Sequence, residues 1–117
     1  MIQDKSPVIN GDGEQTRDFI SVEDVVRANI LALQPNCGSG VFNIGTEKET
    51  SINDLTRQLL KACCRSIEIQ YGPARKGEQR KSAIRYRKFF ETVGWEPTRT
   101  LEEGLVETYL YFSAAGI

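Results

Sequence analysis

The sequence predicts a small α/β fold, α+β-like in its layout, in which an initial β-hairpin is followed by alternating helices and short strands. Three observations predict it: helical periodicity follows three capping sequences, short β-branched or aromatic segments separate these stretches, and an Asp-Gly turn lies near the N-terminus. The 117 residues, 39% apolar and 26% charged, suit one domain, which we expect to span residues 1–117.

Four short segments are predicted to be strands, because β-branched or aromatic residues are concentrated in them: 7–10, 15–20, 41–45 and 67–71. The sequence GDGE connects the first two. Asp-Gly readily adopts the positive φ angles of a tight hairpin turn, so we expect these two strands to pair with each other.

Three predicted helices begin at the sequences SVED, SIND and TLEE, where Ser21, Ser51 and Thr100 each precede an acidic residue by three positions. In such a capping box the hydroxyl accepts from a first-turn amide and the carboxylate reaches back to the cap residue. Apolar side chains then recur at helical spacing, and a shorter apolar pattern over 86–93 predicts a fourth helix.

The single tryptophan, Trp95, follows this fourth helix. We predict that it is a packing residue that contacts Phe89, Leu101 and Leu105, because one large indole often anchors so small a core; the alternative is stacking on a nucleotide base.

Several classes of function are excluded by composition. The chain has no histidine, which argues against a zinc site and against a Ser-His or Cys-His hydrolase, and we expect no metal. No apolar run reaches the length of a membrane helix, and the N-terminus has no signal-peptide core. We therefore expect a soluble, cytoplasmic protein with no membrane partner.

The charge is unevenly distributed. The segment 75–88 contains seven basic residues and one glutamate, a net charge of +6, whereas the remainder carries −7. This segment is consistent with a solvated face, an anion or phosphate site, or a nucleic-acid patch. Nucleic acid is the least favoured of the three, because the whole chain carries −1 and has a pI of about 5.5.

Four stretches together resemble one family: PVINGDGEQTRDFISVEDVVRANILAL, VFNIGTEKETSINDLTRQLLKA, RKGEQRKSAI and VGWEPTRTLEEGLVETYLYF. They are similar to the C-terminal, substrate-binding portion of the extended short-chain dehydrogenases, the NAD-dependent nucleotide-sugar epimerases and dehydratases of the UDP-glucose 4-epimerase type. The resemblance covers residues 7–112 and implies a lobe that binds a nucleotide-sugar, most closely a UDP-sugar.

The sequence also departs from this family. The Rossmann half with its glycine-rich loop is absent, so NAD is implied for the full-length family but not as a cofactor of this chain. The Tyr-x-x-x-Lys set is absent too, since Tyr71 precedes Arg75 and Tyr86 precedes Phe90 at that spacing. We therefore expect no catalytic residue and no activity from this chain alone.

Arg17 is the first candidate for substrate binding. By the resemblance it contacts the nucleotide-sugar phosphates, and its planar guanidinium suits bidentate contact with a diphosphate. We expect its partner to be that diphosphate rather than a side chain of the protein. The alternative is a surface ion pair with Asp18 or Glu14.

Arg75 and Glu78 lie in the sequence RKGE, similar to the family's Arg-x-Gly-Asp/Glu. By that resemblance the arginine reaches the phosphates and the carboxylate accepts from the ribose hydroxyls. By the same resemblance Val8 and Asn10 correspond to the segment along the nucleotide base and would contact base edges through main-chain groups; the alternative is an ordinary strand. Gln15 supports the same site.

A different class of function stays open. A chain without its partner lobe leaves a contact face bare, and such a face favours association. The alternative is therefore an interaction module that binds no ligand, either a homo-oligomer or a partner of the missing Rossmann lobe.

Overall fold

A computed structural model of the protein describes residue 3 and residues 5–116. Its regular elements are, in chain order, β1 (Val8–Asn10), β2 (Thr16–Arg17), α1 (Val22–Ala32), a 3₁₀ turn (Pro35–Cys37), β3 (Thr50–Ser51), α2 (Ile52–Ala62), β4 (Gln70–Gly72), α3 (Arg87–Val93) and α4 (Leu101–Ala114). The order of helices matches the prediction, and so does the α/β class with short strands.

The predicted hairpin is wrong. β1 pairs in parallel with β4, with Val8 opposite Gln70, while β2 pairs antiparallel with β3. The GDGE sequence does form a turn, and Gly11 and Gly13 have positive φ angles there. A positive-φ turn is compatible with more than one strand arrangement, so the turn alone does not determine which strands pair.

The predicted strand over 41–45 is also wrong, and the segment 15–20 is a strand only at Thr16 and Arg17. The carboxylate of Asp18 replaces the backbone hydrogen bonds that a longer pair of strands would make here. It accepts hydrogen bonds from the backbone N–H groups of Thr46, Glu47 and Ile84 at 3.0, 3.0 and 2.9 Å. One side chain thus satisfies amides that a neighbouring strand would otherwise pair.

The capping predictions are confirmed in part. Thr100 forms the complete box: its hydroxyl accepts from the Glu103 amide, and the Glu103 carboxylate accepts from the Thr100 amide. The Ser21 and Ser51 hydroxyls also cap their helices. The acidic half of those two boxes is wrong, because Asp24 and Asp54 are engaged elsewhere.

Asp24 connects α1 to the segment before α4. It is fully buried, and its carboxylate accepts from Arg27, from the amide and hydroxyl of Thr98, and from the amide of Arg99. Burial raises the pKa of the carboxyl group, but these hydrogen bonds outweigh it and hold the pKa below 3.8.

The core lies beside this connection. Trp95 and Phe89 are fully buried with ring centroids 5.9 Å apart, and Tyr86 meets Trp95 edge-on at 5.6 Å. The packing role predicted for Trp95 and its contact with Phe89 are confirmed. Leu101 and Leu105 do not belong to this cluster and instead line a groove with Leu55 of α2.

The longest described helix has 14 residues. Within the described residues, no helix combines the length and the apolar character that are needed to cross a membrane.

Candidate functional site

Four of the six residues predicted to bind substrate line one cavity of about 200 Å³, which we call the Gln15 cavity. Its lining residues are Asn10, Gly11, Asp12, Gln15, Ala74, Arg75, Glu78 and Arg80. They come from the end of β1, from the GDGE turn and from the loop after β4. The parallel β1–β4 pairing is what brings these segments together, since the Gly11 amide donates to the Gly72 carbonyl oxygen at 3.0 Å.

Gln15 connects the two sides of the cavity. It is buried, and its Nε2 donates to the backbone oxygen of Asn10 at 2.9 Å and to Oε2 of Glu78 at 3.5 Å. The amide therefore fixes the position of a carboxylate that lies 63 positions away in the sequence.

Arg17 has a partner within the protein, contrary to the prediction. Its guanidinium donates to the backbone oxygen of Gln79 at 2.7 Å and to Oε1 of Glu78 at 3.2 Å. The alternative ion pairs with Asp18 or Glu14 are wrong as well. Arg17 lies behind Glu78 and outside the lining of the cavity. Its contact with phosphate stays a prediction.

Arg75 and Val8 are placed differently from each other. Arg75 is exposed and lines the cavity, and its guanidinium makes no hydrogen bond or ion pair with any other residue that the structure describes. Val8 lies on β1, mostly exposed and outside the cavity. Arg75 therefore lies at the cavity and Val8 does not line it, and the main-chain contact of Val8 with a base stays a prediction.

Sequence reasoning missed the pair formed by Asp12 and Arg80 at the same cavity. The two guanidinium nitrogens Nη1 and Nη2 donate to Oδ1 and Oδ2 of Asp12 at 2.8 and 2.9 Å. The hydrogen bond from Arg80 is the main cause that lowers the pKa of Asp12 to about 2. The available signal was the acidic turn residue together with a basic segment further along the chain, which does not specify a pairing.

The turn itself is held by Asn53, which sequence reasoning also missed. Asn53 is buried at the start of α2, and its Nδ2 donates to the backbone oxygen of Asp12 at 3.0 Å and to Glu14 Oε1 at 2.5 Å. Its backbone amide donates to the Gly13 oxygen, and Tyr71 donates to its Oδ1 at 2.9 Å. One amide side chain thus fixes the turn that carries Asp12.

The basic segment 75–88 is partly neutralised within the fold. Arg80 pairs with Asp12, Arg87 pairs with Glu91, and Lys88 donates to the Val41 oxygen. The two ion pairs offset part of the concentrated positive charge that the sequence indicates, whereas the contact of Lys88 is to a neutral carbonyl oxygen and offsets none.

Comparison with known proteins places this chain in a family. The sequence profile of the GDP-mannose 4,6 dehydratase family matches residues 1–108. The chain belongs to this family. Its members include NAD-dependent nucleotide-sugar epimerases and dehydratases, and the chain is 35% identical over 112 residues to the UDP-glucose 4-epimerase of Mycolicibacterium smegmatis. That alignment covers 96% of the chain and 36% of the relative.

Solved structures of epimerases show the same fold over the whole chain. UDP-glucose 4-epimerase of Thermotoga maritima, determined with UDP-glucose, is 43% identical with a TM-score of 0.91, and the match covers 100% of this chain and 38% of that one. UDP-glucuronic acid 4-epimerase of Bacillus cereus, determined with UDP-glucuronic acid and NAD, is 30% identical with a TM-score of 0.87 over 98% and 37%. The chain thus spans little more than a third of the length of these relatives.

The described residues do not fit the pyrophosphate of NAD, which the family implies. A dinucleotide site needs a glycine-rich turn between a strand and the start of a helix. The four described α-helices instead begin after Ser21, Ser51, Tyr86 and Thr100, and no glycine lies among the three residues before any of these helices. The described residues also contain no cluster of His, Cys, Asp or Glu suited to a metal.

Proposed function

We propose that the chain is the nucleotide-sugar-binding lobe of an epimerase or dehydratase, that it binds a UDP-sugar in the Gln15 cavity, and that it is not catalytic by itself. The observation that carries this proposal is the convergence of Asn10, Gln15, Arg75 and Glu78 on one cavity. The binding of UDP-sugars by relatives with the same fold supports the choice of ligand class.

Arg75 suits a phosphate ligand because its guanidinium is exposed at the cavity and has no competing partner among the described residues. A guanidinium fork forms strong charge-assisted hydrogen bonds to phosphate oxygens. Its five N–H donors are therefore available to a diphosphate at no cost of breaking an existing ion pair.

Glu78 suits a ribose diol. Its two oxygens accept from Gln15 and Arg17, and an ionised carboxylate has about four acceptor positions. Two positions therefore remain for the vicinal hydroxyls. Since Arg17 holds Glu78 from behind, Arg17 contributes to binding by positioning this carboxylate as well as by adding positive charge near the phosphates.

Isothermal titration calorimetry with UDP-glucose and UDP tests the proposal. We expect Arg75→Ala to weaken binding by about tenfold, the effect of a lost charge-assisted hydrogen bond, and Arg17→Ala to weaken it too. Arg87→Ala is the matched control, because Arg87 belongs to the same basic segment but lies on α3 and pairs with Glu91. Wild-type affinity in both the Arg17 and the Arg75 variant would contradict the proposal that the ligand binds at the Gln15 cavity.

A second role is favoured by one row of exposed apolar side chains along α1. These residues recur at helical spacing on one face: Val22, Val26, Ile30 and Leu33. Leu33 is 86% exposed and Val22 is 74% exposed, whereas soluble surfaces seldom leave such a contiguous row uncovered. The row supports an interaction surface that either a second copy or the Rossmann lobe of the full-length family covers.

Multi-angle light scattering distinguishes these two occupants. A dimer in the wild type that dissociates on Ile30→Glu supports self-association through α1. A monomer at high concentration argues against self-association and leaves the row to another lobe. Leu110→Glu on α4 is the matched control for the added charge, since Leu110 is 59% exposed, close to the 55% of Ile30, and does not line a groove with Val22.

A further inference from the structure

Only part of the positive charge at the Gln15 cavity is available to a ligand. Of the two arginines that line it, Arg75 is unpaired within the described chain, whereas Arg80 is bound at both terminal nitrogens by Asp12. The second carboxylate of the cavity, Glu78, is bonded to Arg17. A phosphate that reaches Arg80 must therefore compete with the carboxylate of Asp12.

This pair is held in place from both sides. On one side, Asp12 lies on a turn that Asn53 fixes, and Oδ1 of Asp12 also accepts from the Glu14 amide at 2.9 Å. On the other side, the backbone oxygen of Arg80 accepts from the Thr16 amide at 2.9 Å. Because both backbones are anchored, pairing costs mainly the rotamer freedom of the two side chains, which remain more than half exposed.

We propose that Asp12 is a specificity-determining residue of the Gln15 cavity: by holding Arg80, it limits the positive charge available to a ligand and so favours a nucleotide-sugar diphosphate over a nucleoside triphosphate. The sugar ester removes a charge from the terminal phosphate, so Arg75 with the nearby Arg17 provides enough counter-charge for it. A triphosphate carries more charge, needs a further cation, and meets the carboxylate of Asp12 instead. This inference rests on the proposed function.

The test compares inorganic tripolyphosphate, UTP and UDP-glucose as probes of the wild type and of Asp12→Asn. Asparagine is nearly isosteric and suits the same turn, but it does not pair with Arg80 as an anion. We expect Asp12→Asn to bind tripolyphosphate and UTP at least about fivefold more tightly, the size of one exposed charge pair, with a smaller change for UDP-glucose.

Two further variants isolate the cause. Asp12→Asn combined with Arg80→Gln should not bind tripolyphosphate or UTP more tightly than the wild type, because there is no longer an Arg80 that the loss of Asp12 could make available to the ligand. Asp54→Asn makes the same change of net charge at an exposed aspartate on α2 that also pairs with an arginine, and it should leave all three affinities unchanged. Circular dichroism melts establish that each variant is folded.

The inference is overturned if Asp12→Asn binds tripolyphosphate no more tightly than the wild type, or if the gain persists without Arg80. The proposed function fails on a different result, the absence of UDP-glucose and UDP binding by the wild type. In that case the tripolyphosphate comparison still decides whether Asp12 withholds Arg80 from a polyphosphate, since that probe contains no nucleoside or sugar.

Discussion

The indole Nε1 of Trp95 donates to the backbone carbonyl oxygen of Asp24 at 3.1 Å, which joins two fully buried residues 71 positions apart. The same aspartate receives the Thr98 amide through its carboxylate. Asp24 therefore holds the segment after α3 through both its main chain and its side chain. Because this segment leads into α4, the contact fixes how the last helix meets the first.

Asp24→Asn should destabilise the protein by about 2–3 kcal/mol, because an amide replaces an anion that accepts several charge-assisted hydrogen bonds. Asp54→Asn is a matched control: Asp54 also lies in the first turn of an 11-residue helix and pairs with an arginine three residues later, but it is exposed. We expect a change of at most about 0.5 kcal/mol there. Urea denaturation followed by Trp95 fluorescence measures both, and equal effects would contradict the role of burial.

Acid should destabilise the protein partly through Asp24. Its pKa in the folded state lies below the ordinary 3.8, so the unfolded chain binds the proton first as the pH falls. The stabilisation from the ionised carboxylate is complete above about pH 5 and is lost progressively as the pH falls through 3.8 towards the folded-state pKa. The urea midpoint measured from pH 7 to pH 2 should therefore fall more steeply in the wild type than in Asp24→Asn. Parallel curves would show that other carboxylates account for the loss.

Phe89 and Phe90 are neighbours in α3 with opposite environments. Phe89 is 1% exposed and packs on Trp95, while Phe90 is 46% exposed. Phe89→Ala should cost about 3–5 kcal/mol through lost burial and a residual cavity, and Phe90→Ala about 1 kcal/mol. Urea denaturation monitored by circular dichroism compares the two, and similar costs would contradict the position of the core.

Local signals predicted the helices well and the strand pairing poorly, and the reason is physical. A cap such as Thr100 with Glu103 is complete within four residues, so the sequence contains all of it. The β1–β4 pairing joins segments about sixty residues apart, and three-residue strands show little periodicity. Asp24 illustrates the limit of local prediction. It lies in the first turn of α1, where an acidic residue suits a capping box, but its carboxylate makes a tertiary contact with Thr98 and Arg99 instead.

In the candidate site, too, the sequence indicated individual residues but not the long-range contacts between them. Resemblance identified Gln15, Arg75 and Glu78 individually, and the fold places them at one cavity. The sequence did not predict that Arg17 pairs with Glu78 or that Asp12 pairs with Arg80, because each pair depends on how the turn and the distant loop meet. Charge alone identifies neither partner among the fifteen basic and sixteen acidic residues of the chain.

Alanine substitutions at Gly13 and Gly77 distinguish the cost of a steric clash in the turn from the cost of backbone strain. Their φ angles are +75° and +74°, so alanine meets the same left-handed strain at both positions, about 1 kcal/mol. A Cβ at Gly77 meets no atom within 4 Å, whereas at Gly13 it lies 2.1 Å from Oδ1 of Asn53. Asn53 would have to move and to give up its bonds to the turn.

Gly13→Ala should therefore cost at least about 1–2 kcal/mol more than Gly77→Ala in urea denaturation, since buried hydrogen bonds of Asn53 are lost. A further comparison with Gly13→Ala in an Asn53→Ala background checks the cause, because the clash disappears there and the difference between the two glycine positions should nearly vanish. Should the extra cost persist without the Asn53 side chain, the strain would lie in the backbone of the turn rather than in this contact.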